Sequence, residues 1–428
     1  MLQAIRRSSL YAGFRRWRTD ARQRWHESTA IAARARTNAK VIAITGSSAK
    51  STTTALLSHI LSRDSRITAQ VGTNGVTSSL KALGKIGNDS AFVVLEIGTG
   101  GPGQIAHAAN VARPDIGLVT MVAMEHKSAF GSLDAIAREK GDLVQAIQPG
   151  GLAVLNADDP HVIAMRLRTA ARIVTFGRRE KADYQVRQLE ARVPGGLSLA
   201  ISWRDQTLEL QTRFLGEQFW LPTLAAVATA IELGIPPATI AGRVSGFEPV
   251  FGRCNAIAVS DGPFFILDTT KAPWHSLELA FDLVAGAEAP RKRIVLGHMS
   301  DFAGSDTKYR DAYRMARSVA DEVVFVGDHA HRSKASLEDR QQGRFVAFAT
   351  PLEAYQHIRR TAIAGEVILL KGSVDLHLER IALAFQGTVE CWVPACGRMS
   401  NCNVCGCWGA PYPSHKGKKA SRPALVAR

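Results

Sequence analysis

The sequence predicts an α/β protein: a central phosphate-loop, parallel-sheet domain, then a smaller Rossmann-like α/β domain, with a basic N-terminal helix and a cysteine-rich tail. Three observations predict it. Short apolar, β-rich runs alternate with helical stretches in two successive series, as in parallel sheets covered on both faces. A loop of small residues ending in lysine follows the first strand. Charge and cysteine collect at the chain ends.

The 428 residues carry a formal charge of +15, with 46% hydrophobic and 21% charged residues. This composition excludes wholesale disorder and collagen-like or coiled-coil classes, and the length suits two or three domains. No apolar run reaches the roughly 18 residues of a spanning helix. Residues 1–40 hold ten Lys/Arg against Asp20 and Glu27, and residues 388–428 hold six against Glu390 alone. The body between carries only +2 of the +15, so a nucleic-acid-binding role is disfavoured.

In chain order, Leu2 to about Ala39 reads as a helix whose Leu10, Phe14, Trp17, Ala21 and Trp25 share a face. First-series strands are expected at Val41–Thr45, Phe92–Ile97, Ile116–Val122, Leu152–Asn156 and Arg172–Phe176. Tyr184–Phe214 alternates polar and apolar residues around Pro194-Gly195-Gly196 and predicts a hairpin. Thr223–Leu233 is Ala-rich and helical. A domain boundary is placed near Phe251-Gly252-Arg253. The second series comprises Phe264–Asp268, Arg293–Leu296, Glu322–Val326, Arg344–Phe348 and Glu366–Leu370.

Gly46-Ser47-Ser48-Ala49-Lys50-Ser51-Thr52 lies between the first strand and a helix expected over Thr53–Leu61. Backbone N–H groups and the helix dipole at such a junction favour phosphate. Lys50 can reach terminal phosphates, and the Ser51 or Thr52 hydroxyl can hold magnesium. Ala49 stands where such loops carry glycine. Glu96 at a strand end is a candidate magnesium ligand, and His126 a candidate second one. Lys140 sits in a helical stretch.

Together these residues resemble the Mur ligase family of ATP-dependent amide-bond ligases, nearest in motif to the branch that adds D-Ala-D-Ala to UDP-muramyl tripeptide. The phosphate loop is similar to that family's, as are Val94–Ile105, Arg113-Pro114-Asp115, His126, Phe130-Gly131-Ser132, Glu139-Lys140-Gly141-Asp142 and Val154–Pro160. Phe247–Arg253, Asp268–Ser276 and Leu369–Ser373 continue the match in order. The resemblance implies residues 39–252 as the central ATP-binding domain, 253–387 as the C-terminal domain, 1–38 as leader and 388–428 as tail. It also implies phosphorylation of a carboxylate by ATP with magnesium, then attack by an amine on the acyl phosphate. By resemblance Lys50 binds the β/γ-phosphates within the Gly46–Thr52 cradle, Ser51, Glu96 and His126 hold magnesium, and Lys140 occupies a position that some members carbamylate. Arg253 and Lys271 would contact phosphates, and Asp268 the ribose or its neighbours.

Two departures stand out. The branch's base-binding G-x-H-N-x-x-N pattern reads here Gly216-Glu217-Gln218-Phe219-Trp220-Leu221-Pro222, which keeps a non-catalytic, Mur-like binding protein as an alternative. Only about 40 residues precede the phosphate loop, so the UDP-binding N-terminal domain of cell-wall members is expected to be missing. The expected partners are therefore a small-molecule, peptide or lipid-linked carboxylate of envelope or capsule metabolism and an amine acceptor. Residues 2–25 read in three ways: as a helix in peripheral contact with an anionic membrane surface on the cytoplasmic face, as a leader with the composition of an organelle transit peptide, or as a helix packed on its own domain with solvated arginines. In the tail, Cys391, Cys396, Cys402 and Cys405 are expected to hold a structural zinc, with an iron–sulfur cluster also fitting thiolate ligands.

Overall fold

The computed structural model describes residues 9–73, 75–87, 89–125, 127–300, 305–394 and 396–415, with residues 9–20 described by backbone alone. The chain divides into two units, one of residues 1–189, 199–210 and 219–247 and one of residues 190–198, 211–218 and 248–428.

Unit 1 is built on β1 (Lys40–Thr45), β2 (Ile67–Gln70), β3 (Phe92–Glu96), β4 (Ile116–Val119), β5 (Leu152–Asn156) and β6 (Arg172–Gly177), all paired parallel in the order β2-β3-β1-β4-β5-β6. β1 is buried from Val41 to Thr45 and β5 throughout, which accounts for their unbroken apolar runs. The chain runs from β1 outward to one edge and returns to lay β4 on β1's other side. Loops leaving the carboxyl ends of β1, β3 and β4 therefore meet at a topological switch point, where open α/β sheets bind ligands.

The N-terminal helix α1 spans Ser9–Arg36. It docks through a different face from the one its apolar spacing picks out. His26 and Ala30 are buried, while Trp25 is 62% exposed. Arg34 ties the helix end down, donating to the carbonyls of Ala112 and Arg113 and pairing with Asp115 at 3.1 Å.

The remaining differences are local. The helix after the phosphate loop, α2 (Lys50–Ser62), begins at the lysine and not at Thr53. Tyr184–Thr212 forms three strands instead of one hairpin: β7 (Tyr184–Arg192), β8 (Gly196–Trp203) and β9 (Gln206–Thr212). Arg204, in the left-handed region with φ 50°, and Asp205 supply the second turn without a glycine to mark it. β2 is a short edge strand with a half-polar sequence, so alternation alone did not reveal it.

Unit 2 carries β10 (Asn255–Ala258), β11 (Phe264–Asp268), β12 (Lys292–Leu296), β13 (Glu322–Val326), β14 (Phe345–Phe348) and β15 (Val367–Lys371), ordered β10-β11-β15-β12-β13-β14. All pairs are parallel except β10–β11, and β10, a second strand absent from the sequence reading, is that antiparallel edge. The cysteine-rich tail packs on this domain. Val389 and Cys402 join its apolar core with Phe265, Leu370 and Ile381, and Trp392 stacks on Tyr355 at 5.3 Å.

Candidate active site

In unit 1 the loop after β1 is held by the segment after β4. Ser47 N–H donates to Met121 O (2.7 Å), Ser47 Oγ to Ala123 O (2.9 Å), and Thr120 Oγ1 to Ser48 O (2.6 Å). Gly46 has φ +148°, and a Cβ there would overlap Thr120 Oγ1, so no side chain fits. Ala49 ends the loop at φ 65°, ψ −10°, the left-handed region where glycine is at ease and alanine is strained. Ala49→Gly should therefore stabilise the protein by about 1 kcal/mol. A raised thermal midpoint is the expected result, and a lowered one contradicts the strain argument.

This geometry places Lys50 at the first turn of α2. Its side chain, 8% exposed, curls back so that Nζ donates to Gly46 O at 2.5 Å, with Ser47 O at 3.4 Å. One turn of loop thus encloses a cation beside the first-turn N–H groups of α2, a geometry that suits an anion. Next to it, Ser51 Oγ donates to Glu96 Oε1 (2.9 Å), and Gly72 N–H holds Oε2 (2.7 Å). Glu96 is buried at the end of β3, so a hydroxyl and a carboxylate oxygen adjoin the phosphate loop, the hard-oxygen donors that magnesium takes.

Lys140 lies buried in the helix Leu133–Gln145, with Nζ 2.6 Å from Glu125 Oε1. Burial and the charge of Lys50 push its pKa down to about 8, against the pull of Glu125. The unfolded chain keeps this amine protonated to a higher pH than the folded chain does. The penalty for charging it is thus present below about pH 8 and fades between there and 10.5. Lys140→Met should raise the melting temperature more at pH 7 than at pH 9.5. A pH-independent difference would contradict the assignment.

Glu125 was not singled out from sequence, and its neighbour His126 lies outside the described residues. Glu139 has a structural role. Its carboxylate accepts the N–H groups of Gly103 (2.7 Å) and Ile105 (2.8 Å) at the start of the helix Gln104–Ala112.

In unit 2, Asp268 ends β11 and pairs with Lys371, at the end of β15, at 2.5 Å. Lys371 also donates to Lys271 O (3.1 Å) and Ser276 Oγ (3.0 Å), so this buried lysine shapes the loop that presents Lys271. In the sequence Lys371 stands out only as part of the Leu369–Ser373 motif. Arg253 is half-buried in the turn after Val250, and Lys271 is exposed. Among the predicted site residues, then, Lys50, Ser51, Glu96 and Lys140 belong to unit 1 and Arg253, Asp268 and Lys271 to unit 2.

The tail differs from its expected four-thiol arrangement. Among the described residues the tail sulfur that converges with other ligand groups is Cys402, with His377 and Glu379, and no group of three tail thiols does so. Cys396 Sγ lies 3.0 Å from His377 Nε2, whereas Cys405 accepts from Arg398.

Residues 44–230 match the Mur ligase middle domain, and residues 252–374 match the Mur ligase, glutamate ligase domain. The chain belongs to the Mur ligase family. Its members are ATP-dependent amide-bond ligases. The UDP-N-acetylmuramoyl-tripeptide–D-alanyl-D-alanine ligase of Mycobacterium leprae is 28% identical over 374 residues, 80% of this chain and 72% of that protein. Its counterpart in Mycobacterium tuberculosis H37Rv is 30% identical over 268 residues, 61% of this chain and about half (52%) of that relative's length. A crystal structure of MurF from Acinetobacter baumannii is 25% identical, with a TM-score of 0.73 over 85% of this chain and 80% of that one. The folylpolyglutamate synthase of Mycobacterium tuberculosis, complexed with ADP, shares the fold: its TM-score is 0.67 at 14% identity over 85% of this Mur ligase and 94% of that chain.

Proposed function

We propose that this Mur ligase is an ATP- and magnesium-dependent carboxylate–amine ligase working through an acyl phosphate in envelope, capsule or peptidoglycan-related metabolism. The observation that carries the reading is the enclosed Lys50 beside the Ser51–Glu96 pair at the switch point of the first sheet. A substrate carboxylate oxygen attacks the γ-phosphorus and ADP leaves. The amine nitrogen then attacks the acyl carbon, phosphate leaves and the nitrogen loses a proton. Lys50 supplies positive charge at the β/γ-phosphate oxygens in both the ground and transition states.

Ser51 and Glu96 fit magnesium as oxygen donors already turned toward each other, with His126 the expected further ligand. When bound, the ion screens the charge of the phosphate oxygens. Arg253, Lys271 and Asp268 are assigned to the nucleotide, with Lys371 fixing the loop that bears Asp268 and Lys271. The lowered pKa of Lys140 leaves a usable fraction of neutral amine near physiological pH, which can add carbon dioxide to give a carbamate and a proton.

The altered base motif does not favour a non-catalytic role. Pro222 lies in the first turn of the helix Trp220–Glu232, where a missing N–H costs no helical bond, and Phe219 is buried. These substitutions pack the helix start. The deciding experiment is phosphate release from ATP across carboxylate and amine candidates. Release that needs both an acceptor and Lys50 supports the ligase, and failure to bind ATP by calorimetry refutes it.

No helix among the described residues is long and apolar enough to cross a membrane. The leader suits surface attachment instead: the face bearing Trp25 stays exposed while His26 and Ala30 dock, and arginines crowd the segment. We read this as contact with the cytoplasmic face of a membrane, which would bring the site to a lipid-linked carboxylate. A chain lacking residues 1–38 should lose binding to anionic vesicles. Equal binding by the full and shortened chains ends this reading. The thiol-rich tail is read as a structural zinc module.

A further inference from the structure

We propose that unit 2 binds one divalent transition-metal ion of the zinc class through His298, Asp328 and His329, with Asp375 orienting His298. The site belongs wholly to unit 2 and to residues that the ligase reading leaves unused.

The topology brings these residues together. β12 ends at Leu296 and β13 at Val326, and the two strands pair in parallel. The segments Gly297-His298 and Gly327-Asp328-His329 therefore leave the same end of the sheet side by side. That is the carboxyl end of the strands, where open α/β sheets bind ligands. Thirty residues separate His298 from Asp328, so no local spacing announces the pair.

The ligand atoms converge. His298 Nε2 lies 3.1 Å from Asp328 Oδ1, and His329 Nδ1 lies 3.3 Å from the same oxygen. One ligand atom from each of the three residues lies within 4.8 Å of the other two. An ion with tetrahedral bonds of about 2.0–2.2 Å keeps its ligand atoms roughly 3.3–3.6 Å apart, so the spacing suits one. Two imidazole nitrogens and one carboxylate oxygen favour zinc, nickel or cobalt over magnesium and calcium, which take oxygen. The Asp328 side chain is 78% exposed and both histidines are partly so, which leaves the remaining coordination positions to water.

His298 is prepared for this role by its surroundings. Its Nδ1 lies 2.9 Å from Asp375 Oδ2. A carboxylate holding Nδ1–H leaves the Nε2 lone pair for a metal, the arrangement that metal-binding histidines use. In that tautomer Nε2 and Asp328 Oδ1 are both acceptors, and a cation between them satisfies the pair. Gly327 makes room for the ring: its φ is +113°, and a Cβ there would stand 2.6 Å from His298 Nε2. The backbone is fixed as well. His298 O accepts the Ser373 N–H at 2.9 Å, and the next residue, Met299, donates its N–H to Tyr309 Oη at 3.1 Å. The Tyr309 ring also packs edge-on against His329, with centroids 5.5 Å apart. The two carboxylates, Asp328 and Asp375, together balance the charge of a divalent ion.

The test uses the full chain with labelled histidine rings, stripped of metal by a chelator and titrated with Zn2+ under reducing conditions. The ring signals of His298 and His329 should move together and saturate at one equivalent, and Co2+ should broaden the same two signals. His298→Ala should weaken the zinc response at His329 at least tenfold, and Asp328→Asn should weaken the response at both rings as much. Because the Asp328 side chain is largely exposed, Asp328→Asn keeps the fold, and thermal melts in chelator check this. Asp375→Asn should weaken binding by about 10–100-fold, as loss of an orienting carboxylate does. Cys402→Ser should leave the response unchanged. Rings that ignore Zn2+ at millimolar concentration overturn the site and leave a hydrogen-bonded His–Asp–His cluster. An affinity at His329 unchanged by His298→Ala or Asp328→Asn overturns the ligand set, and one lost in Cys402→Ser moves the ion to the tail and overturns it too.

Discussion

Replacing Lys50 with alanine should cut acceptor-dependent phosphate release by at least about 10²–10³-fold, the usual cost of losing one preorganised charge at a reacting oxygen. The effect should fall on catalysis more than on stability. Lys50 Nζ is held by two carbonyls of its own loop, and the loop is independently pinned by Thr120 and Ser47. The thermal midpoint should therefore move by only a few degrees. Lys50→Arg should not rescue activity: the side chain is enclosed by the loop backbone, and the broader guanidinium cannot take the same path. Steady-state phosphate assays with both variants check this. Activity within tenfold of the parent in Lys50→Ala would remove Lys50 from the mechanism.

Replacing Arg293 with methionine should destabilise unit 2 by about 3–5 kcal/mol, the cost of breaking a buried ion pair from one side. Arg293 Nε lies 2.9 Å from Glu322 Oε2 and 3.1 Å from Glu366 Oε1, and Arg293 is fully buried. His357 pairs with Glu322 and Arg291 with Glu366, each at 2.6 Å. Without Arg293, two carboxylates share one buried pocket with a cation fewer. The expected signature is a fall of about 10 °C in the transition that reports this unit. Adding Glu366→Gln and Glu322→Gln should recover much of the loss, because neutral amides need no counter-charge. A single variant that melts with the parent would show that solvent reaches the cluster.

Much of the site was legible because its chemistry is local. The phosphate loop announces itself in consecutive residues, and the carboxyl ends of apolar strands can be read one strand at a time. Glu96 was recognisable as a strand-end carboxylate for that reason. Glu125 was not, because its importance comes from Lys140, fifteen residues away and on another element. Lys371 is a similar case. Its partners Asp268 and Ser276 lie about a hundred residues earlier, and only the pairing of β11 with β15 brings them together. The second turn of the Tyr184–Thr212 segment was missed because a left-handed arginine stands where a glycine would have marked it.

The tail shows where local reading ends. Spacing picked out Cys391, Cys396, Cys402 and Cys405 as neighbours in sequence, and the fold sorts them by what stands beside each sulfur. His377 and Arg380, from the segment after β15, meet Cys396 and Cys402, while Cys405 meets Arg398. Likewise, the leader's helical character was plain from its composition, but its docked face was not. Periodicity reports which side of a helix is apolar, whereas docking is decided by the surface that receives it, here the carbonyls of Ala112 and Arg113 and the carboxylate of Asp115 waiting for Arg34. The succession of α/β elements, the phosphate loop and the family follow from residues adjacent in the chain, because backbone hydrogen bonding and side-chain alternation act over a few residues. Which lysine is buried, which carboxylate holds it and which face of a helix packs are settled between segments far apart, where desolvation makes a charge depend on its spatial neighbours.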